Sequence, residues 1–494
     1  MRFYKIAEVP PPLLQDETIT GYDAYSLSQT GRDHHGQYWP LSFRSFNAAV
    51  GPFLPYLLVP FVSLFGLSVY TIRLPIAFIS SLSILLMFWT GYQLNRKLKE
   101  GIAAAFLFVF SSFAITTSRW TINTYTVVPV LLTGLSFFLT AKNSTSRKTL
   151  LYSLAFLFFG ISVYTYAALK IFMLLFIPFT LWFMRKERFI YPLLVFLIVS
   201  LPAYLDTLFN PALHLNRFTM VSIFSFSSFW PFQFLTNYLS YFLPFTLFLP
   251  GEVNPTRAVP GFGYELLAYL LFFYSGLYFL IKKRSVFLLG YLLLSPIGPS
   301  LTMPASDFQR SIHVLPALIL TSSLGFFVFA RFAIKVLHYL LKTKDIAVGR
   351  LTYAFLVVLV ILNSFYFLIF YFGKEYEGIA RYYFQYGMGD VVNYLANRED
   401  KFSEIVMTNI INMPYSYVLF FKKVDPKTLV YADFDSIGKN KLLEVKKLGK
   451  YRFREISENE IKGAILLKEV ENSPFSNYQI WQKDKIAYVV FVRK

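Results

Sequence analysis

The sequence predicts a mainly α-helical, polytopic transmembrane bundle that ends in a small α/β domain. The chain is 55% hydrophobic and only 15% charged, whereas soluble proteins contain about 25% charged residues. Apolar segments recur along the chain at lengths suited to crossing about 30 Å of hydrocarbon. Basic clusters occupy every second connection between these segments, a pattern typical of cytoplasmic loops. Together these observations favour a helical membrane protein with about ten spans.

The predicted spans define the topology. Apolar segments lie near 74–94, 101–118, 124–141, 150–167, 169–184, 189–205, 262–281, 286–304, 311–331 and 351–372. Basic clusters follow the first, third, fifth, seventh and ninth of them, beginning at Arg96, Lys142, Arg185, Lys282 and Arg331. Because basic loops stay in the cytoplasm, the opening segment, the stretch 206–261 and everything after about 373 are predicted to be extracytoplasmic.

Two further apolar segments are predicted not to cross the membrane. Residues 51–66 are short and carry three prolines, and residues 232–250 have a similar pattern. Such segments favour interfacial or broken helices. The expected organisation is a first extracytoplasmic loop with interfacial helices over 1–73, a transmembrane helical domain over 74–372 and an extracytoplasmic α/β domain over 373–494.

The C-terminal region is predicted to be a small α/β domain because polar residues rise after residue 373 and short β-like runs begin. Those runs lie at 404–409, 428–433, 463–470 and 486–494, with helix-like pieces at 389–398 and 439–448. The region contains no evident catalytic constellation. We therefore expect it to cap the membrane body or to bind an acceptor.

Composition also excludes several functions. The net charge of +19 could indicate nucleic-acid binding, but the basic residues sit mostly in short clusters between apolar spans, so no nucleic acid is expected as a partner. The chain has no cysteine, which excludes disulfides, thiolate metal sites and cysteine nucleophiles. The spans carry almost no charge, whereas proton-coupled transporters bury ionisable groups at mid-membrane. This difference favours chemistry at the membrane interface over transport across the bilayer.

The opening segment carries the candidate catalytic residues. It is predicted to be an exposed polar loop in which Asp16 and Glu17 are adjacent. A carboxylate at the membrane surface can accept a proton from an acceptor hydroxyl, and it can also hold a divalent cation against a phosphate. Asp33 is followed by His34 and His35, which could ligate a metal, although adjacent histidines often diverge.

Arginines predicted at the extracytoplasmic ends of the spans form a second group of candidates. Guanidinium groups pair with phosphate bidentately, and anchoring to lipid headgroups is the alternative role. His313 lies one turn after Arg310, so both side chains could face one pocket. The cations in question are Arg44, Arg73, Arg119, Arg257 and Arg310.

Several motifs resemble one family. A proline-containing turn leads to the Asp-Glu pair in Pro12–Glu17, and an aromatic-Arg-Ser-Phe run follows at 43–46. Gly21–Tyr25, Thr30–Asp33, Leu64–Gly66 and Arg73–Pro75 continue the pattern. The chain thereby resembles the membrane-embedded glycosyltransferases with the GT-C fold, in particular the dolichyl-phosphate-mannose protein mannosyltransferases and the bacterial aminoarabinose transferases.

This resemblance implies a cell-membrane enzyme that moves a hexose or pentose from a polyprenyl-phosphate donor to a lipid, protein or glycan acceptor outside the cytoplasm. Asp16 would be the base or the acceptor-orienting carboxylate, and Glu17 would support Asp16 or a metal. A divalent cation is the one cofactor that the carboxylates suggest, and membrane lipid is an expected partner. The residues expected to bind substrate or phosphate are Arg44, Arg73, Arg119, Asp33, Arg310 and His313.

The chain also departs from the family pattern. Val50 stands where many relatives have a lysine that is a candidate phosphate contact, so that task would shift to Arg44, Arg73 or Arg119. Asn123 stands where relatives often have a carboxylate, which weakens the expectation of a metal. The crossing helix that precedes the Asp-Glu loop in the family is not recognisable in this sequence. Two other functions stay open: a flippase or transporter of lipid-linked glycans, and a polysaccharide polymerase or ligase that would use the long stretch 206–261.

Overall fold

The computed structural model describes most of the chain and shows a helical body joined to a small β-sheet region. The described residues are 1–45, 48–185, 187–227, 229–250, 254–305, 307–343, 345–410, 412–429, 436–437, 443–470 and 478–491. Within them, five helices are long and apolar enough to cross a membrane: Val69–Asn95, Asn123–Asn143, Ile190–Phe209, Ile312–Leu340 and Ile346–Tyr371. The predicted mainly α fold with a C-terminal β-containing region is confirmed.

The opening segment forms regular structure rather than the exposed loop predicted from its polar composition. It consists of α1 (Gln15–Thr30), a hairpin of β1 (Phe43–Ser45) and β2 (Ala48–Val50), and α2 (Phe53–Phe65). Most of α1 is buried because α2 and the C-terminal region pack against it. At 1.5 Å per residue, α2 is about 20 Å long, too short to cross the hydrocarbon.

In the helical body, five of the ten predicted spans, those near 74–94, 124–141, 189–205, 311–331 and 351–372, coincide with the helices long enough to cross a membrane, whereas the other five coincide with shorter apolar helices. Its helices are Val69–Asn95 (α3), Leu98–Phe110 (α4), Ser112–Thr116 (α5), Val127–Asn143 (α6), Lys148–Ser162 (α7), Ala167–Phe183 (α8), Ile190–Phe209 (α9), Pro211–Val221 (α10), Ile223–Phe226 (α11), Trp230–Ser240 (α12), Pro244–Leu247 (α13), Ala268–Lys282 (α14), Val286–Leu294 (α15), Leu315–Leu340 (α16) and Ile346–Tyr371 (α17). Each predicted span overlaps at least one of these helices. The segment 232–250 is broken into α12 and α13, as expected.

The first two basic connections lie at the end of the body remote from α1. Arg73, near the start of α3, contacts α1, whereas Asn95 ends α3 22 residues later, about 33 Å away along the helix axis. Asn143, at the end of α6, donates a hydrogen bond to the Gln93 carbonyl at 2.6 Å. The first two basic connections are therefore neighbours. We call the opposite end, which carries α1, the α1 face.

Close packing inside the body depends on two glycines. A Cβ atom on Gly325 of α16 would lie 1.7 Å from the Phe272 carbonyl oxygen of α14, and one on Gly276 would lie 2.0 Å from the Thr321 carbonyl oxygen. Neither position can accept a side chain without separating the two helices. Small residues at such contacts let transmembrane helix backbones approach closely.

The C-terminal region is a mixed sheet flanked by short helices. Its elements are α18 (Lys374–Tyr383), α19 (Met388–Ala396), β3 (Glu404–Met407), α20 (Pro414–Lys422), β4 (Ser436–Ile437), β5 (Leu443–Glu444), β6 (Lys447–Leu448), β7 (Tyr451–Phe453), α21 (Glu458–Ile461), β8 (Ile465–Val470), β9 (Tyr478–Lys483) and β10 (Ile486–Phe491). Six strands pair in the order β6-β7-β3-β10-β9-β8, with β3 parallel to β7 and β10.

The strand predictions at 404–409, 463–470 and 486–494 are confirmed by β3, β8 and β10. The helix predicted at 439–448 is wrong in its described part, which forms β5 and β6. Gly449, at φ +57, makes the turn that pairs β6 with β7, and this pairing overrides the local helix propensity. Residues 430–433 of the predicted run 428–433 lie outside the described residues.

Candidate functional site

Asp16 lies in the first turn of α1 and is partly buried. Burial raises the pKa of its carboxyl to about 6, the charge of Arg217 opposes that rise, and the neighbouring Glu17 carboxylate adds to it. The positive end of a helix also favours a carboxylate at this position. Asp16 is therefore mostly ionised at pH 7 but titrates close enough to neutrality to take up a proton, as a general base must.

Arg217 of α10 is the cation whose charge acts on the Asp16 carboxyl and lowers its pKa. Its side chain is exposed, and within the part of the chain that the structure describes no hydrogen bond or ion pair engages it. Its charge also reaches Tyr166, at the start of α8, as does the charge of Arg310. The charge of Arg217 thus acts on both the Asp16 carboxylate and Tyr166 at the α1 face.

Glu17 points to a different side of α1 and is fully buried against Arg73. The Arg73 guanidinium donates two hydrogen bonds to the Glu17 carboxylate, each 2.8 Å long, and two more to the carbonyls of Ile6 and Pro10. The same carboxylate accepts the backbone N–H of Thr121 at 2.9 Å. This ion pair fastens α1 to α3, so both side chains serve the framework of the site.

Arg119 anchors the opening segment in a similar way. It is fully buried, and its guanidinium donates to five carbonyls, among them Val9 at 2.8 Å, Tyr4 at 2.6 Å and Arg2 at 3.0 Å. Its face lies 4.7 Å from the Phe372 ring centroid. Arg73 and Arg119 were expected to be outward cations that bind phosphate, whereas here both guanidinium groups are occupied by protein atoms.

Asp33 belongs to a buried cluster at the end of α1. One Asp33 oxygen accepts the backbone N–H groups of His35 and Gln37. Burial and the neighbouring Asp23 carboxylate raise the pKa of Asp33. His34 Nδ1 lies 2.6 Å from Asp23; although burial opposes protonation of His34, Asp23 raises its pKa. These groups are enclosed by protein: Asp23 lies in the middle of α1, and Asp33 and His34 lie in the loop that follows it, away from Asp16 in the first turn.

Arg44 lies on β1, beside His35. Burial lowers the pKa of His35 to about 2, and the charges of His34 and Arg44 act in the same direction. His35 is therefore neutral across the physiological range. Arg44 is partly buried and belongs to the surroundings of the Asp33 cluster rather than to those of Asp16.

Arg310 and His313 occupy separate environments, contrary to the expected common pocket. Arg310 donates to Thr302 at 2.8 Å and to the Met303 carbonyl at 2.7 Å, and it pairs with Asp307 at 3.3 Å. His313 is buried, with Nε2 lying 2.8 Å from the Ser295 carbonyl oxygen. The reason is local: His313 falls in a 3-10 turn before α16, so the α-helical spacing assumed between the two residues does not apply.

Asp307 organises the cations on this side of the α1 face. It is buried, pairs with Arg310 and lies 3.9 Å from the Arg257 guanidinium. Gln309 follows it and donates to the Tyr125 hydroxyl at 3.0 Å. Sequence reasoning noted the two arginines but missed Asp307 and Gln309.

Arg217 was also missed, although the sequence contains a signal for it. It is an isolated arginine in an apolar, aromatic segment of the stretch 206–261, which was predicted to lie on the same side of the membrane as Asp16. Pro211 occupies the first helical position there, and proline at that position commonly starts a helix. The arginine could thus have been placed on a short interfacial helix near the carboxylates.

No three His, Asp or Glu side chains converge to form a candidate metal site within the described residues. His34 is engaged by Asp23, and Glu17 is engaged by Arg73. The divalent cation stays a prediction.

Comparison with known proteins identifies the fold. No protein-family model matches the chain, and no curated protein matches it in sequence. The structure of ArnT from Cupriavidus metallidurans in the apo state superposes with a TM-score of 0.50 and 13% identity, covering 84% of this chain and 80% of that chain. The same protein bound to undecaprenyl phosphate gives a TM-score of 0.46 at 12% identity, covering 85% and 82%.

The oligosaccharyltransferase of Archaeoglobus fulgidus in the apo form gives a TM-score of 0.46 at 16% identity, covering 84% of this chain and 60% of that chain. At these identities the likeness concerns the fold alone. The chain has the GT-C fold, as its resemblance to membrane glycosyltransferases predicted.

Proposed function

We propose that the protein is a membrane glycosyltransferase that moves a sugar from a polyprenyl-phosphate donor to a hydroxyl acceptor on the extracytoplasmic side. The observation that carries this proposal is the charge of Arg217 acting on the Asp16 carboxylate at the α1 face of a GT-C fold. The lipid class and the side of the membrane are those that the sequence motifs and the basic connections imply. The sugar is a hexose or a pentose, and the acceptor is a lipid, protein or glycan.

The two side chains suit the two halves of this reaction. The acceptor oxygen forms a bond to the anomeric carbon while the bond from that carbon to the phosphate oxygen breaks, and the configuration inverts. The Asp16 carboxylate receives the acceptor proton. The electron pair of the broken bond stays on the phosphate, where the Arg217 guanidinium stabilises the negative charge that develops.

Arg217 is better suited to the donor phosphate than the arginines singled out from sequence. The guanidinium groups of Arg73 and Arg119 are buried and already donate to protein acceptors. Arg310 is engaged by Asp307, Thr302 and Met303. Arg217 is exposed and its charge reaches Asp16, so a phosphate bound there would lie close to the base.

The proposal is tested with the purified protein in liposomes and a radiolabelled polyprenyl-phosphate hexose or pentose. We expect the wild-type protein to release polyprenyl phosphate and transfer the label to a hydroxyl acceptor. Asp16→Asn should reduce the rate about 10²- to 10⁴-fold, the range typical of a general base. The matched control is Asp390→Asn, an exposed carboxylate of α19, which should behave as wild type.

Two results would overturn the proposal. Movement of the intact lipid-linked sugar across the bilayer, without cleavage of its phosphate bond, would instead indicate a flippase or transporter. Transfer by Asp16→Asn at the wild-type rate would remove Asp16 from the reaction.

A further inference from the structure

The C-terminal region forms hydrogen bonds with α1 on both sides of Asp16 in the sequence. The Tyr417 hydroxyl of α20 donates to the Leu13 carbonyl at 2.9 Å, three residues before Asp16. The Ser416 hydroxyl lies 2.7 Å from the Thr18 hydroxyl, two residues after it. Both contacts are buried and join residues about 400 positions apart in sequence. They bracket Asp16 in the first turn of α1.

Two more hydrogen bonds join the C-terminal region to α1. The side chain of Gln385, which lies between α18 and α19, donates to the Gln15 side chain at 3.3 Å. The Tyr22 hydroxyl of α1 donates to the Val424 carbonyl, just after α20, at 2.8 Å. The α1 residues 15, 18 and 22 follow the spacing of one helix face. That face therefore belongs to the C-terminal region.

Asp16 projects from a different side of the helix. At about 100° per residue, it is rotated roughly 130° from the centre of the face formed by residues 15, 18 and 22. Glu17 is rotated a further 100° or so, onto the side of α1 where it forms the ion pair with Arg73. The membrane body and the C-terminal region thus hold α1 from two directions, and Asp16 lies on neither of these two faces.

The start of α1 needs this external support. Leu14 occupies the N-cap position and has no side-chain group that could cap the helix, in contrast to the Ser, Thr, Asp or Asn usually found there. The Glu17 carboxylate accepts the Leu14 N–H at 3.3 Å, and Tyr417 binds the preceding carbonyl. The position of the first turn, and with it the Asp16 carboxylate, depends on both contacts.

We propose that Tyr417 and Ser416 are positioning residues that hold Asp16 in place for the transfer reaction. This inference rests on the proposed function. It gives the C-terminal region a part in the chemistry without contact with the substrate, beyond the cap or acceptor-binding role expected from its sequence. Catalytic rates fall steeply when a reacting group is misplaced by about 1 Å, by as much as 10²-fold.

The test compares two tyrosine variants in the same region. Tyr417→Phe removes the hydroxyl that binds the Leu13 carbonyl. Tyr451 lies on β7, and Tyr451→Phe removes a buried hydroxyl for which no hydrogen-bond partner is found among the described residues. We expect Tyr417→Phe to lower kcat about 10- to 100-fold with KM for the donor unchanged, and Tyr451→Phe to retain wild-type kcat.

Serine variants supply a second, independent readout. Ser416→Ala should lower kcat, and Ser416→Thr, which keeps the hydroxyl, should restore most of it. If wild-type transfer is measured and both Tyr417→Phe and Ser416→Ala retain wild-type kcat, the positioning role is wrong while the proposed function stands. If kcat falls equally in Tyr417→Phe and Tyr451→Phe, the effect is general destabilisation and the inference is overturned. Absence of transfer in the wild-type protein is instead a failure of the proposed function.

Discussion

The ion pair between Glu17 and Arg73 should be among the most sensitive points of the molecule. Both side chains are fully inaccessible, and the Glu17 carboxylate accepts hydrogen bonds from Arg73, Leu14 and Thr121. Replacing one member of a buried pair leaves the other charge without compensation, which costs about 3–5 kcal/mol. Glu17→Gln keeps the size of the side chain, so its effect reports the charge.

A partly exposed pair offers the matched control. Lys148 and Glu187 lie 2.7 Å apart with about a third of each side chain accessible, and such pairs contribute about 0–1 kcal/mol. The assay is thermal unfolding of each purified variant in detergent. We expect Glu17→Gln to lower the apparent Tm by several degrees and Glu187→Gln to leave it nearly unchanged.

A double-variant cycle separates pairing from packing. Arg73→Met removes the cation, and combining it with Glu17→Gln removes both charges, so the combined loss should be smaller than the sum of the two single losses. Strictly additive losses would refute the anchoring role. A Glu17→Gln protein with wild-type Tm but no transfer would make Glu17 a catalytic group and contradict the account.

Three further predictions follow from the same geometry. Because burial raises the pKa of Asp16 to about 6 and the base must be ionised, kcat/KM should rise with pH through about 6 and then level off. Arg217→Gln removes a charge that lowers this pKa, so the rise should move to higher pH. A pH-independent kcat/KM would contradict the assignment of Asp16 as the base. Arg119→Ala leaves buried carbonyls without donors, so hydrogen exchange at residues 1–9 should accelerate, and unchanged protection would refute the anchor. Gly325→Ala should lower the Tm strongly, whereas Gly349→Ala, which meets only a side chain at 3.8 Å, should not; equal Tm values would contradict the close packing.

The helical body could be predicted from sequence because its signals are local. A span requires a run of apolar residues of fixed length, and the basic clusters mark alternate connections wherever the helices happen to pack. The ten predicted segments each overlap a helix for this reason. Helix ends were less accurate, as at residue 118, where the predicted second span continues beyond α4 and α5.

The site could be predicted only in part because its partners are distant in sequence. Glu17 and Arg73 are 56 residues apart, and Arg119 contacts a segment more than 100 residues earlier. Nothing in the local pattern distinguishes an arginine that binds a phosphate from one enclosed by carbonyls. Arg217 received no role from the sequence because it lies 201 residues after Asp16, and only the folded chain brings its charge to bear on that carboxylate.

The polar composition of α1 explains the incorrect prediction of an exposed loop. Asp23, Thr18 and Gln15 are buried because each has a hydrogen-bonding partner in the folded chain. Polar groups can be buried at little cost when their hydrogen bonds are satisfied, and those partners lie in the loop after α1 and in the C-terminal region. Composition alone indicates solvent exposure for such a helix, whereas tertiary contacts decide its burial.

The central claim is that Asp16 acts as the base and Arg217 binds the donor phosphate. Single-turnover kinetics with a radiolabelled polyprenyl-phosphate sugar tests this claim most directly. Donor affinity and the rate of phosphate-bond cleavage are measured on the same protein samples. Asp16→Asn should bind the donor with wild-type affinity and cleave it about 10²- to 10⁴-fold more slowly. Arg217→Gln should weaken donor binding about 10- to 100-fold, as expected for loss of a charged hydrogen bond. Wild-type cleavage by Asp16→Asn, or wild-type donor affinity and cleavage in Arg217→Gln, would contradict the account.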